Sequence, residues 1–448
     1  MTDHGRDALE RLDALALDRG LRAAAGAWRR WRRRIARGEA LESDPFEPWR
    51  PLLGRTAFQR LDDLPAGDPL RAPLARWTFR LAEQRIDREA LAATAHERYG
   101  ALLAIDAPRR GHLTRAAMLA HALRTPDEAA AWLDAWSACA APLSGRVTLL
   151  WERRAEVARR MGLASIDTIE SVSEAVAPAA RSWLAATRDR ALEGSTRPLA
   201  EWLRLQARLG AVEDFPGRLD AGRVAELVAA PDLIRGLELD PGPLPESIGP
   251  SSFLRAFMRF GSAWADASAP RHQPFVVAQD PYGLGRRAAG ALFGLLACSP
   301  AFVRRRLAVP SARARDALRG HAQLTLATTR LAAAGVVLRA AALAGGGALR
   351  GAHEELGAEL FGETLPEAWA GVLPRLHEDA EARFAGWLLA ATRLERLERI
   401  HDDDWFRNPR ALEQLRAEAE RSPAVTTTAA ELDDGAAALA RRLAELLG

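Results

Sequence analysis

The residues that titrate, ligate or attack are thinly spread in this chain, with nine His and only two Cys, Cys139 and Cys298. His353-Glu354-Glu355-Leu356-Gly357 begins like a zinc helix, in which two His at i and i+4 share one face. The second ligand position is Gly357, so the segment reads as a helix surface. Asp266, His272 and Asp280 are donor types that suit a metal, but their spacing fits no ligand pattern. Cys139 and Cys298 lie among small apolar residues and read as core packing rather than nucleophiles. Gly345-Gly346-Gly347 lacks the Lys and Ser/Thr of a phosphate loop and reads as a helix stop. Trp28-Arg29-Arg30-Trp31-Arg32-Arg33-Arg34 is the one local basic run. It could meet nucleic acid, but its spacing better suits the solvated face of a helix whose Trp residues pack inward.

The 448 residues are 48% hydrophobic, enough for a large core in one domain or two lobes. Ala and Leu dominate, while Tyr99 and Tyr282 are the only Tyr, a bias toward helix over sheet. All 62 basic residues are Arg, set against 59 acidic ones for a net charge of +3. The pI of 9.4 therefore reflects the high pKa of Arg more than a concentrated basic surface. Two cysteines are too few for a disulfide framework and suit a reducing cytosol. Met1–Asp7 carries no signal-peptide pattern, and Ala288–Val303, a long charge-free stretch, is too short for a bilayer and contains Pro300. The expectation is a soluble, cytoplasmic protein without membrane contact.

Helical periodicity covers most of the chain. Leu9, Leu12 and Leu15 start a helix toward Arg37, and Pro-rich joints follow at Pro45–Pro51 and Pro65–Pro73 before more helix through Tyr99. Helices are predicted at 114–123, 126–139, 144–161 and 167–193, the last kinked or split at Pro178. Five prolines make 231–250 the joint between an N-terminal lobe (1–230) and a C-terminal lobe (251–448). Further helices fit 251–268, 284–297, 311–343, 380–400 and 409–421, with one more at the end of the chain. The predicted fold class is all-α.

Four segments, in order, resemble the thimet oligopeptidase and oligoendopeptidase F family of zinc peptidases. Glu152–Gly162 is similar to the family's Arg-Asn-Glu-x-Ala-x-x-x-Gly helix. Met258-Arg259-Phe260-Gly261-Ser262 stands where the family has His-Glu-x-Gly-His. Arg287–Phe293 is similar to the helix that opens with the third ligand, a Glu; this puts Arg287, or with a one-residue slip Arg286, at the ligand position. Asp404-Trp405-Phe406-Arg407-Asn408-Pro409 resembles the C-terminal Asp-Trp-Trp-Arg-Asn-Pro segment, while Asp379 and Arg383 stand at the family's tyrosine positions. The resemblance covers roughly 144–448. It implies an all-helical, two-lobed ellipsoid with a deep peptide channel.

The same alignment implies that the family's chemistry is missing. A catalytic zinc takes three protein ligands and one open position. Met258 offers a thioether, Ser262 a neutral hydroxyl, and Arg287 a fixed cation. At 4 Å a guanidinium would repel a dication by several kcal/mol, even at an effective dielectric of ~20. Arg259 stands where the general base should be and has a pKa above ~12. The expectation is a catalytically inactive, peptidase-like protein with no metal and no cofactor. It would hold a peptide or protein partner in or near a channel offering Arg259, Arg286, Arg287 and Arg383 as anion-binding groups. The rivals are an enzyme with an unorthodox site and, less favoured, an Arg-driven nucleic-acid binder.

Overall fold

A computed structural model of the protein describes residues 8–36, 43–105, 126–192, 221–228, 231–234, 236–239, 250–421 and 423–448. The principal helices are α1 (Ala14–Ala36), α2 (Arg71–Ile105), α3 (Pro126–Met161) and α4 (Val176–Ala186). They continue with α5 (Pro250–Ser268), α6 (Leu284–Leu295), α7 (Ser311–Ala344) and α8 (Gly346–Phe361). α9 (Ala380–His401), α10 (Pro409–Ala419) and α11 (Ala429–Leu447) complete the chain. Among the described residues there is no strand, only an isolated bridge between Val372 and Arg375. The all-α expectation holds.

Two predicted boundaries move. The helices expected at 126–139 and 144–161 are one, because α3 runs on through Pro142. The segment expected as 167–193 is three pieces: a turn at Asp167–Glu170, then α4, then Arg188–Leu192. α4 places Pro178 in its first turn, where a missing N–H leaves no helical bond unmade. The helix expected at 114–123 lies outside the described residues, as does much of 231–250. The triple glycine does stop α7, with Gly345 at φ 120°, but α8 starts at once from Gly346. His353, read from sequence as surface, is buried on α8 because its ring nitrogen Nε2 lies 3.1 Å from the Pro366 carbonyl.

α5 shows why sequence and packing agree. Phe253, Phe257, Phe260 and Trp264 form one stripe at 3–4 spacing and are fully buried, while Arg255 and Arg259 point outward. Trp264 and Phe260 meet Phe293 of α6 edge-on. The larger core draws on residues on both sides of 231–250, and a second core joins α1 and α2 to Phe275 and Val276. Local signals fix the C-terminal helices. Asn408 accepts from the Arg410 N–H at 3.0 Å ahead of Pro409, and Thr428 and Glu431 form a capping box. α7 is long and apolar enough to cross a membrane, but 61% of its apolar window is buried within this fold.

The tightest packing runs through α5, α6, α9 and α11, and glycine sets it. A Cβ on Gly261 of α5 would lie 2.6 Å from the Ala289 carbonyl oxygen of α6. One on Gly386 of α9 would lie 2.8 Å from the Arg287 Cβ, and one on Gly435 of α11 would lie 2.5 Å from the Leu388 carbonyl oxygen. These helices therefore meet backbone to backbone. Gly261→Ala or Gly435→Ala must push rigid backbone apart, so each should cost about 1–3 kcal/mol. Thermal or urea unfolding of each variant against the parent measures the loss; Gly320→Ala, where nothing lies within 4 Å, is the control.

Candidate functional site: an arginine-rich cavity

Met258 and Ser262 stand on the face of α5 that meets α6. A Cβ on Gly290 of α6 would fall 2.5 Å from the Ser262 hydroxyl and 2.8 Å from the Met258 carbonyl; one on Gly294 would fall 2.9 Å from Met258 Cγ. The Ser262 hydroxyl donates to the Arg286 carbonyl at 3.3 Å, and Met258 packs against the main core. These two positions are thus contact positions between two closely packed helices. Together with Arg287 they offer a thioether, a hydroxyl and a guanidinium. That set does not fit zinc, which takes thiolate, imidazole or carboxylate.

Arg287 is anchored elsewhere. Its Nε donates to Asp379 Oδ2 at 2.8 Å, its Nη2 contacts the same oxygen, and Arg383 Nε donates to Oδ1 at 2.6 Å. Burial resists ionisation of Asp379, but Arg287 and then Arg383 hold its carboxyl well below the usual range. Burial, reinforced by Arg383, brings the Arg287 guanidinium down to about 10. Arg287, Asp379 and Arg383, which the sequence resemblance put at a ligand position and two tyrosine positions, thus form one Arg–Asp–Arg triad carrying a net positive charge.

A second network lies behind it. Arg80, Glu83 and Asp87 occupy one face of α2 at i, i+3 and i+7. Arg80 Nη2 donates to Glu378 at 2.9 Å, and Arg154 of α3 grips Asp87 with both its Nε (3.0 Å) and its Nη2. Arg339 of α7 donates to Asp167 at 2.7 Å, Glu170 at 2.8 Å and Glu381 at 3.0 Å. The Tyr282 hydroxyl donates to Glu83 at 3.3 Å. Glu83 is fully buried. Burial, then the charge of Glu170 and a hydrogen bond to it, raises the Glu83 carboxyl well above its ordinary value. For Glu170, burial opposes ionisation, yet the bond from Glu83 and the charge of Arg339 keep it ionised. Of these two buried carboxyls, Glu83 thus favours its protonated form and Glu170 its ionised form.

These groups surround a cavity of ≈ 250 Å³ lined by nine Arg, five carboxylates and His377. The inner wall is ion-paired, through Arg80, Arg154 and the Asp379 triad. The rim is not balanced in the same way: Arg29 and Arg32 come from α1, and Arg286 is 3.7 Å from Asp266. Of the four arginines expected to face a ligand, Arg286, Arg287 and Arg383 line the cavity, while Arg259 lies on the surface outside it. Arg259 misses because it sits opposite the aromatic stripe of α5.

The basic run divides between core and cavity. Trp28 and Trp31 are buried and stacked 5.0 Å apart, as expected, and Trp28 also stacks on Phe46. Arg29 and Arg32, three apart on one face, belong to the cavity rather than to solvent alone, and Arg29 donates to Gln279. That i, i+3 spacing was the available signal. Nothing local announced Asp87, Arg154 or Glu378.

Other candidates resolve as structural. Asp280 accepts from the backbone N–H of Tyr282 at 3.1 Å and of Leu284 at 2.9 Å, and His272 is exposed, so Asp266, His272 and Asp280 do not gather. Cys298 is buried 3.4 Å from the Thr325 hydroxyl, and burial pushes its thiol up to about 11. The Cys139 side chain lies outside the described set. Among the described residues, His377, Glu378 and Asp379 place donor atoms within 4.8 Å of one another, a possible metal group. Both carboxylates already belong to guanidinium groups, and burial followed by Arg383 and Arg375 disfavours charge on His377. The surroundings suit an anion.

The sequence matches no protein-family model and no curated protein sequence. A solved structure of Pyrococcus furiosus carboxypeptidase, in an apo-Mg form, is similar with a TM-score of 0.54 at 11% identity. The similarity covers 96% of this chain and 98% of that one. At this identity it establishes the fold alone: the chain has a helical fold similar to that of this carboxypeptidase.

The burial of Glu83 makes stability depend on pH in a defined direction. Glu83 takes up its proton on folding, because its folded value lies above the unfolded one near ~4.3. Its contribution is complete below the unfolded value and is lost as pH rises through the raised folded value. Glu83→Gln supplies a neutral donor that needs no proton. Melting temperatures across a pH series should fall with rising pH in the parent and fall less in the variant.

Proposed function

We propose that this protein is a catalytically inactive relative of the oligopeptidases that binds an anionic peptide or protein segment in its arginine-rich cavity. The observation that carries this reading is the charge balance of the lining, nine guanidinium groups against five carboxylates. Rim guanidinium groups such as Arg32 and Arg286 can be paired by a carboxylate ligand through bidentate bonds. The paired inner wall holds the shape, and the cationic rim steers the ligand. The absence of a zinc-type ligand set at Met258, Ser262 and Arg287 supports binding over hydrolysis. So does the engagement of Asp379 and Glu378 by arginine. Burial of Trp28 and Trp31 removes the stacking face that a nucleic-acid role for the basic run would use. A cytoplasmic location belongs to the same proposal.

Fluorescence anisotropy with peptides ending in Asp or Glu, and with amidated neutral counterparts, tests the reading. The acidic peptides should bind at micromolar levels, weaken with salt and lose on the order of tenfold in affinity to Arg32→Glu or Arg286→Glu. The peptides should be recovered uncleaved. No binding by any acidic peptide, or chelator-sensitive cleavage, would defeat it.

A further inference from the structure

Helices α2 and α3 each carry a second charged face, turned away from the cavity. On α2, Arg80, Gln84 and Asp87 line the cavity, while Ala82, Arg85, Ile86 and Arg88 line a separate outer cleft. On α3, Trp151 and Arg154 face the cavity, while Arg153, Glu156, Val157 and Arg160 face the cleft. The cleft measures ≈ 660 Å³, and its remaining wall comes from residues 44–55. Six arginines line it against two carboxylates, Asp44 and Glu156.

Those two acids are already engaged. Asp44 lies 3.2 Å from both Arg50 and Arg88, and Glu156 is 2.8 Å from Arg160 and 2.7 Å from Arg159. Arg55, Arg85 and Arg153 make no ion pair or hydrogen bond among the described residues. The floor beneath them is apolar: buried Leu53, Ala82 and Met161, with Ile86 and Val157 partly exposed. Among the described residues no aromatic side chain lines the cleft.

We infer that this cleft is a docking site for an acidic segment of a partner protein that carries apolar side chains between its carboxylates. Charge complementarity calls for an anion: three guanidinium groups have no carboxylate among the described residues, and arginine is the charged residue favoured at interface centres. The Ile86 and Val157 floor calls for apolar side chains, which a phosphate backbone lacks. Without an aromatic platform, single-stranded bases have nothing on which to stack. The site is independent of the cavity because it uses opposite faces of the same two helices.

A short labelled peptide of internal glutamates and leucines, ending in an amidated leucine so that it lacks the acidic C-terminus offered to the cavity, is titrated by anisotropy into the full chain to test this. Binding should weaken on the order of tenfold or more in Arg85→Glu/Arg153→Glu, with an unchanged melting temperature, and should be unaffected by Arg32→Glu. Arg85→Gln/Arg153→Gln is the milder pair should the charge reversal unfold the chain; it should weaken binding in the same direction. Absence of binding would overturn the inference, as would equal affinity for the folded double variants. Equal loss with Arg32→Glu would place the peptide in the cavity and also overturn it. Polyglutamate or a single-stranded oligonucleotide binding as tightly as the mixed peptide would do the same.

Discussion

The contact between Gly386 and the backbone of Arg287 is the constraint on which the rest of the site depends. With no Cβ at 386, α9 lies directly against α6, and a Cβ there would fall 2.9 Å from the Arg287 carbonyl carbon. Asp379 stands at the start of the same helix α9, so the approach delivers its carboxylate to the Arg287 guanidinium. Gly261 and Gly290 do the same between α5 and α6 and bring the Ser262 hydroxyl onto the Arg286 carbonyl. Close helix packing and the chemistry of the cavity are one fact. Widening either contact would move Arg287 relative to both of its neighbours.

The cavity then follows from electrostatics in a confined space. Buried guanidinium groups are tolerable only when hydrogen-bonded and paired, and the inner wall satisfies this through Asp379, Glu378 and Asp87. The carboxylates are fewer than the arginines, so charge is left over at the rim. The fold is similar to that of a carboxypeptidase of known structure, and the proposed preference for anions rests on the side chains that line this chain's own cavity. Arg339 and its three carboxylates hold the wall from behind, tying α7 to α9 and to the Asp167–Glu170 turn.

Much of this was legible in the sequence, for identifiable reasons. Helices announced themselves through Leu and Ala periodicity and through Gly345 as a stop, while the Asn408 and Thr428 caps became evident in the structure. Arg286, Arg287 and Arg383 were found because motif order carries positional information. Arg259 was misplaced because adjacency in a motif is not adjacency in space: it lies on the face of α5 opposite Phe260. The Asp87–Arg154 pair joins residues 67 apart and the Arg80–Glu378 pair residues 298 apart, and no local pattern encodes such pairings. The continuity of α3 through Pro142 was hidden for the opposite reason, since proline is a strong local breaker and yet the helix runs on through it.

The central proposal is that the positions around Met258, Ser262 and Arg287 hold no hydrolytic metal. Metal analysis of the purified chain, before and after dialysis against zinc, tests it most directly. The account predicts far less than one equivalent retained, with no change in melting temperature. About one zinc per chain, retained through dialysis and lost on mutating the residues around Met258, Ser262 and Arg287, would contradict it.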